Sequence, residues 1–313
     1  MQSKSFTNKN ILITGITGFV GKNLAYELER LGASVYGISR TVNSDKILKA
    51  NIIDYDRLDE FISDKEINIC FHLAGESLVE MGQKDPYSVF QINTQGTLNI
   101  IESGRRHKLE KIIIASTAHV YGRNKVPYFE GYTPRPSRPY ETSKACTDLI
   151  AQSYADTFNL PILIPRFVNI YGPGDLNFNR LIPKTIQSVL SNQPVHMWGG
   201  DGIRDYLYID DAVDAYVKLA LVNLKKVGNN KVFNFGSDNK ISVKELIEKI
   251  ILLSGKKAKI TKIKELRDEE IETQYVSFGK AAKLLGWSAK TDLDSGIKKA
   301  IEWYQGYFTN PGK

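Results

Sequence analysis

The run Gly15-Ile16-Thr17-Gly18-Phe19-Val20-Gly21 follows directly on an apolar stretch, Asn10 to Thr14, and leads into an amphipathic segment, Phe19 to Leu31. A strand that passes into a helix within so few residues needs a backbone free to turn sharply, which glycine supplies. The start of that helix offers backbone N–H groups to a pyrophosphate. Leu24, Leu28 and Leu31 give the helix one apolar face to lay on a sheet.

The alternation continues. Ser34 to Ser39 reads as a strand, the stretch around Asp56 to Ser63 as a helix, and Ile67 to Leu73 as a buried strand. Pro86 to His107 reads as one long helix opening with proline. Lys111 to Ser116 is the next strand, a helix runs from Tyr140 to about Phe158, and Pro161 to Arg166 is the sixth strand. Strands alternating with helices predict an α/β fold with a doubly wound parallel sheet. Beyond Phe167, turn-rich segments (Tyr171-Gly172-Pro173-Gly174 and Trp198-Gly199-Gly200-Asp201-Gly202) separate helices near Arg180 to Leu190, Asp210 to Leu224 and Ser242 to Leu253. We therefore expect a dinucleotide-binding domain over residues 1–167, joined by about 206–235, and a smaller C-terminal α/β lobe over 168–313. Ligands belong in the cleft at the carboxyl ends of the strands.

The 313 residues carry a formal charge of +7, scattered rather than in blocks, which predicts a solvated basic surface and no nucleic-acid partner. A mild positive bias also suits a phosphate-bearing substrate. Cys70 and Cys146 lie far apart without metal-ligand spacing, so free thiols are expected and no metal. Met1 to Asn10 is polar, and no signal peptide or membrane span is visible; the expected compartment is the cytoplasm.

Tyr140 and Lys144 stand four apart on the expected helix, so phenol and ammonium share a face. An ammonium beside the phenol would lower its pKa and let Tyr140 exchange a proton near neutrality. A proton carrier beside a bound dinucleotide implies hydride transfer at a C–O bond.

The motifs in order are Thr14-Gly15-x-x-Gly18-x-x-Gly21, Phe71-His72-Leu73-Ala74-Gly75, Asn93-x-x-Gly96-Thr97 and Ser116-Thr117-x-x-Val120-Tyr121-Gly122. The Tyr140/Lys144 pair follows, then Arg166-x-x-Asn169-x-Tyr171-Gly172-Pro173-Gly174, Arg204-Asp205-Tyr206-x-Tyr208-Ile209-Asp210-Asp211 and Leu285-Gly286-Trp287. In this order and spacing the chain resembles, over almost its whole length, the extended short-chain dehydrogenase/reductase family of nucleotide-sugar epimerases, dehydratases and reductases. The resemblance implies a Rossmann-type sheet and assigns Gly15, Gly18, Phe19, Val20 and Gly21 to the cofactor pyrophosphate turn. Ser39 and Arg40 would flank the adenosine ribose, and Asn51 and Ile52 the adenine, with Asn where the family usually has Asp. Leu73, Ala74 and Gly75 would let the cofactor lie close, with Asn93 on the long helix nearby. Thr117 matches the catalytic hydroxyl, and Lys144 would hold the nicotinamide ribose and tune Tyr140. On the substrate side the resemblance points to Ser77, Thr117, His119, Asn169, Arg180, Leu181, Arg204 and Arg267, the arginines suiting phosphate geometry.

Dehydratases that remove water across C5–C6 place acidic residues after the catalytic Thr. Here those positions are Ala118, which cannot transfer a proton, and His119, a histidine on an apolar strand end, where packing is the commoner role. The inventory thus favours oxidoreduction at C4 of a nucleotide-diphosphate sugar (4-dehydrogenase/4-reductase or 4-epimerase). The alternatives are a 4,6-dehydratase using His119 and a non-catalytic dinucleotide-binding regulator. Strand two ends without the acidic residue that binds an NAD ribose, and Arg40 could meet an NADP phosphate. The glycine loop holds no second basic residue, so NAD(H) is slightly favoured over NADP(H). In relatives, helices matching Pro86–His107 and Glu141–Phe158 form a homodimer; here Val89, Ile92, Leu149 and Ile150 are the apolar candidates for that contact.

Overall fold

The computed structural model describes residues 5–77, 79–198, 200–263 and 271–309. Its main sheet is built from β1 (Asn10–Thr14), β2 (Ser34–Ser39), β3 (Ile47–Lys49), β4 (Ile69–His72), β5 (Lys111–Ile114), β6 (Ser116–Thr117) and β7 (Ile162–Phe167). The strands β8 (Asn169–Tyr171), β9 (Val195–Trp198), β10 (Ile203–Tyr208), β11 (Val232–Phe235), β12 (Lys240–Ser242), β13 (Ile260–Ile263) and β14 (Thr273–Gln274) complete the chain. The main sheet runs β11-β7-β5-β4-β1-β2-β3, with β6 also on β7, and its pairings are parallel.

Period-two burial explains why these segments are strands covered on both faces. Leu12, Ile38, Cys70, Ile112 and Ile114 enter one core with Leu58, Ile62, Ile100 and Ala151 from helices Tyr55–Asp64, Gly96–Arg106 and Pro139–Thr157. Ile11, Ile13, Phe71 and Ile113 enter the other, against Leu24 and Leu28 of helix Phe19–Arg30 and Ala212 and Leu219 of helix Ile209–Leu221. The direction of strand order reverses between β1 and β4, and that switch point positions the site.

The expected single helix from Pro86 to His107 is instead three pieces: α-helix Pro86–Phe90, a π-helical turn Gln91–Gln95, and α-helix Gly96–Arg106. Asp85 caps the first by accepting from Ser88 N–H at 3.1 Å, with proline at its start. The π turn widens the helix where Asn93 leaves it to bridge two other segments, and hydrophobic spacing does not register one extra residue.

The smaller elements form a second layer. β10 pairs with β12, β14 and β8, while β9 and β13 pair alone. Val189, Val195, Met197 and Ile247 make a small separate core there. Helix Val243–Leu253 begins with a capping box between Ser242 and Glu245, and helix Leu181–Leu190 packs on it. Cys70 is a buried free thiol and Cys146 a half-buried one. Among the described residues there is no helix long and apolar enough to cross a membrane and no cluster of metal-ligand side chains.

Candidate active site

A cavity of about 720 Å³ opens at the carboxyl ends of β1, β2 and β4 and extends to the second layer. Its floor is the glycine turn. Gly15 has φ +72°, and a Cβ there would lie 3.0 Å from Ala74 N. At Gly21 a Cβ would sit 2.2 Å from the Gly15 carbonyl, so only glycine lets the helix start this close to the strand. Helix Phe19–Arg30 has no side-chain cap at Gly18 and no acidic residue in its first turn. Its first N–H groups are therefore suited to an anion, and this cradle fits a dinucleotide pyrophosphate. Phe19 and Val20 line the cavity beside it.

The adenosine side is also assembled. Ser39 and Arg40 at the end of β2, and Asn51 and Ile52, line the cavity. Ser39 Oγ accepts the N–H groups of Thr41 and Val42 at 3.2 and 3.3 Å and lies 3.3 Å from the Thr17 hydroxyl. Asn51 Oδ1 accepts Ile53 N–H at 3.3 Å.

Behind Leu73, Ala74 and Gly75 lies a buried chain of hydrogen bonds. Ala74 N–H donates to Thr14 Oγ1 at 3.0 Å, and Thr14 Oγ1 meets His72 Nδ1 at 2.8 Å. His72 Nε2 meets Thr97 Oγ1 at 3.0 Å, and Thr97 Oγ1 donates to Asn93 O at 2.7 Å. Thr97 spends its proton on Asn93 O, so His72 Nε2 is the donor to Thr97, and with the ring neutral Thr14 donates to Nδ1. Burial, with Lys144 adding to it, pushes the His72 pKa down to about 3.

Asn93 does not stand on the cavity wall. Its Oδ1 accepts Glu76 N–H at 2.8 Å, and its Nδ2 donates to Glu76 O at 3.1 Å and Ser143 Oγ at 2.8 Å. It thereby clips the loop after β4 to the helix that carries Tyr140.

That helix, Pro139–Thr157, starts on proline and brings Tyr140 and Lys144 to the cavity opposite Thr117, the last residue of β6. Tyr140 and Thr117 line the same cavity, but the expected lowering of the phenol by Lys144 does not occur. Burial raises Tyr140 to about 12; Arg180 and the Thr117 hydroxyl act against that rise, while Glu141 and Glu76 add to it. Lys144 Nζ instead donates to the Ala115 carbonyl, and burial lowers its own pKa to about 8 against the pull of Asp148. The cation facing the phenol is Arg180.

Arg180 Nη1 donates to the buried Asp175 at 3.2 Å, and its Nη2 lies 3.5 Å from Ser77 Oγ across the cleft. Asn169 at the start of β8, Leu181 at the start of its helix and Arg204 on β10 line the same cavity. Arg204 Nη1 donates to the carbonyls of Ile203 and Glu272. His119 lines the wall beside Thr117, its backbone N–H donating to Thr117 Oγ1 at 3.2 Å. Arg267 lies outside the described residues.

Residues 11–236 match the NAD dependent epimerase/dehydratase family. The chain belongs to that family. It is 28% identical to human dTDP-D-glucose 4,6-dehydratase over 96% of this chain and 91% of the relative. Among solved structures it resembles UDP-glucose 4-epimerase of Thermotoga maritima, solved with UDP-glucose (TM-score 0.89, 26% identity, covering 96% and 99% of the two chains). It also resembles UDP-glucuronic acid 4-epimerase of Bacillus cereus, solved with UDP-glucuronic acid and NAD (TM-score 0.87, 25% identity, 95% and 99%). As a member of the epimerase/dehydratase family the protein is an enzyme, and the reading as a non-catalytic regulator is set aside.

Sequence reasoning missed several wall residues of this epimerase/dehydratase family member. Trp198 and Lys184 line the cavity's second layer, with the ammonium 4.3 Å from the indole centroid. Glu76 and Asp175 also line it, and Glu141 lies behind the wall. Trp198 ends β9 just before a glycine-rich stretch, and no local pattern marks it or the others.

Proposed function

We propose that this enzyme carries out NAD(H)-dependent oxidoreduction at C4 of a nucleotide-diphosphate sugar, as a 4-epimerase or a 4-dehydrogenase/4-reductase. The observation that carries the reading is that Thr117, Tyr140 and Lys144 line one cavity with a glycine turn that accepts only glycine. Nicotinamide dinucleotide, when bound, supplies the hydride acceptor and donor. The Gly15–Gly21 turn would hold its pyrophosphate, Asn51 and Ile52 its adenine, and Lys144 its nicotinamide ribose. Thr117 holds the C4 oxygen while Tyr140 takes the hydroxyl proton, and Tyr140 returns that proton when C4 is reduced. Asn169 and Arg204 are assigned to the diphosphate and Leu181 to the nucleotide base.

The experiment incubates UDP-, dTDP-, GDP- and CDP-hexoses with the enzyme and weighs the products. A C4-altered or 4-keto sugar that keeps its 6-hydroxyl supports the reading; a product lighter by one water makes the enzyme a 4,6-dehydratase. Tyr140→Phe should lower turnover by about 10²–10⁴ while cofactor binding stays nearly intact. For the cofactor, the glycine loop from Ile16 to Val20 brings no second basic residue beside Arg40, which slightly favours NAD(H). Tighter binding of NADP(H) by calorimetry, abolished in Arg40→Ala, would reverse that choice.

A further inference from the structure

We infer that the sugar end of this cavity selects a nucleotide-diphosphate sugar uncharged at C6, a neutral hexose rather than a uronate, and that Asp175 enforces the choice as a positioning residue by holding Arg180. The first observation is how charge is distributed along the wall. Arg40 lines the end at β2, and Lys184 and Arg204 line the second layer, so cations stand toward both ends of the cavity. Among the described residues only two carboxylates line it, Glu76 and Asp175, and both belong to the part that holds Tyr140. Glu76 precedes Ser77, which Arg180 Nη2 approaches to 3.5 Å, and its charge reaches the Tyr140 phenol. Glu141 stands behind the same wall and is buried.

The second observation is that the cation of this part is already engaged. Arg180 Nη1 donates to Asp175 Oδ2 at 3.2 Å, and Asp175 is 2% exposed. Asn177 N–H donates to Asp175 Oδ1 at 3.1 Å, and the Tyr304 hydroxyl donates to the Asp175 carbonyl, which fixes both the carboxylate and its backbone. Burial raises the Asp175 pKa, and the Arg180 charge and the Asn177 N–H offset only part of that rise. Drawing Arg180 onto a substrate anion would therefore leave a carboxylate buried without its partner. The Lys144 ammonium is likewise turned away, onto the Ala115 carbonyl.

Connectivity brings C6 of the sugar into this field. With the C4 oxygen at Thr117 and Tyr140, C6 is two bonds from C4, so a charge on it falls among the groups around the phenol. A C6 carboxylate would face like charge on the wall, and it would raise further a phenol that burial already holds at about 12. An uncharged C6 group meets neither obstacle, and a 6-hydroxyl finds carboxylate acceptors there. Discrimination thus comes from repulsion of the wrong sugar. The inference rests on the C4 reading for where the sugar sits.

Intact enzyme with NAD⁺ is given glucose and glucuronate, and galactose and galacturonate, as matched pairs on UDP, dTDP, GDP and CDP. Calorimetry measures the binding of each, and NMR follows change at C4. The neutral member of at least one pair should bind about 10²–10³-fold more tightly than its uronate. Asp175→Asn removes a charge with little change of shape and releases Arg180, so that ratio should fall about tenfold or more, through tighter uronate binding. Lost packing alone would weaken both members of a pair and leave the ratio in place. Glu76 is half-buried on the cavity wall, so Glu76→Gln should keep the fold; it should lower the ratio by a smaller factor, and charge selection is tested even without Asp175→Asn. Uronates that bind as tightly as their neutral partners, a wild-type ratio in the variants that fold, or failure of every neutral sugar to bind overturns the inference. Neutral sugars that bind with the expected ratio but do not change at C4 overturn the C4 reading and leave the charge selection standing.

Discussion

Helix Pro139–Thr157 carries two buried carboxylates about two turns apart, Glu141 and Asp148, and their partners make them different groups. Asp148 accepts from Arg166 Nε and Nη2 at 2.7 and 3.0 Å, from the Ser116 hydroxyl at 2.9 Å and from Gln152 at 2.6 Å. Arg166 also lies with its guanidinium 4.7 Å from the Tyr121 ring centroid. Burial disfavours the guanidinium charge, but Asp148 more than restores it, so Arg166 has no proton to give. The pair is a fixed tie between helix and β7. Glu141 instead lies 3.7 Å from the imidazole of His119 at the edge of the cavity. Seven residues apart, the two carboxylates share one face of the helix: Asp148 bolts it to the sheet, and Glu141, two turns nearer its start, meets His119 at the cleft end.

The largest effect should come from the bolt. Asp148→Ala leaves Arg166 buried without its partner and should cost about 3–5 kcal/mol in denaturant unfolding. A loss below about 1 kcal/mol would mean that Arg166 finds water, and the distinction between the carboxylates would fail.

Glu141→Gln keeps a polar group beside Ser137 and should cost less, about 1–2 kcal/mol in the same measurement. A loss equal to that of Asp148→Ala would make both carboxylates structural ties.

Acid separates them further. The folded pKa of Glu141 lies below its unfolded value, so its contribution is fully present above about 4.5, the ordinary value, and is lost as pH falls through the folded pKa. Denaturation midpoints taken below pH ~4.5 should fall less steeply in Glu141→Gln than in wild type. Parallel slopes would show that Glu141 does not carry this pH dependence.

Another face of the helix bounds the comparison. Leu149 is 54% exposed, and Leu149→Asp should change protomer stability by no more than about 0.5 kcal/mol. If this face is the homodimer contact, as we propose, the same variant should sediment as a monomer at micromolar concentration. Of the other candidates for that contact, Val89 is buried within the protomer, and Ile92 and Ile150 pack against its core.

The strands β1 and β2 coincide with the runs read from sequence, because a strand covered on both faces is a short apolar run that local composition reveals. The glycine turn was equally legible: the steric demand at Gly15 and Gly21 is set by residues within one strand-turn-helix unit and Ala74 beside it. Tyr140, Thr117 and Lys144 came from motif order, and the structure does bring them to one cavity. The π turn at Gln91–Gln95 and the short edge strand β3 left no periodic trace. What Tyr140 faces was also not readable. Spacing on a helix shows that Lys144 shares its face, but only packing shows Lys144 turned to Ala115 and Arg180 approaching the phenol from another layer. The same holds for Glu141, which as a string is one more acidic residue at a helix start and in the fold stands behind His119. Secondary structure and cofactor cradle follow from forces between near neighbours in the chain, whereas the protonation of each site residue depends on burial and on charges that only the folded layers bring together.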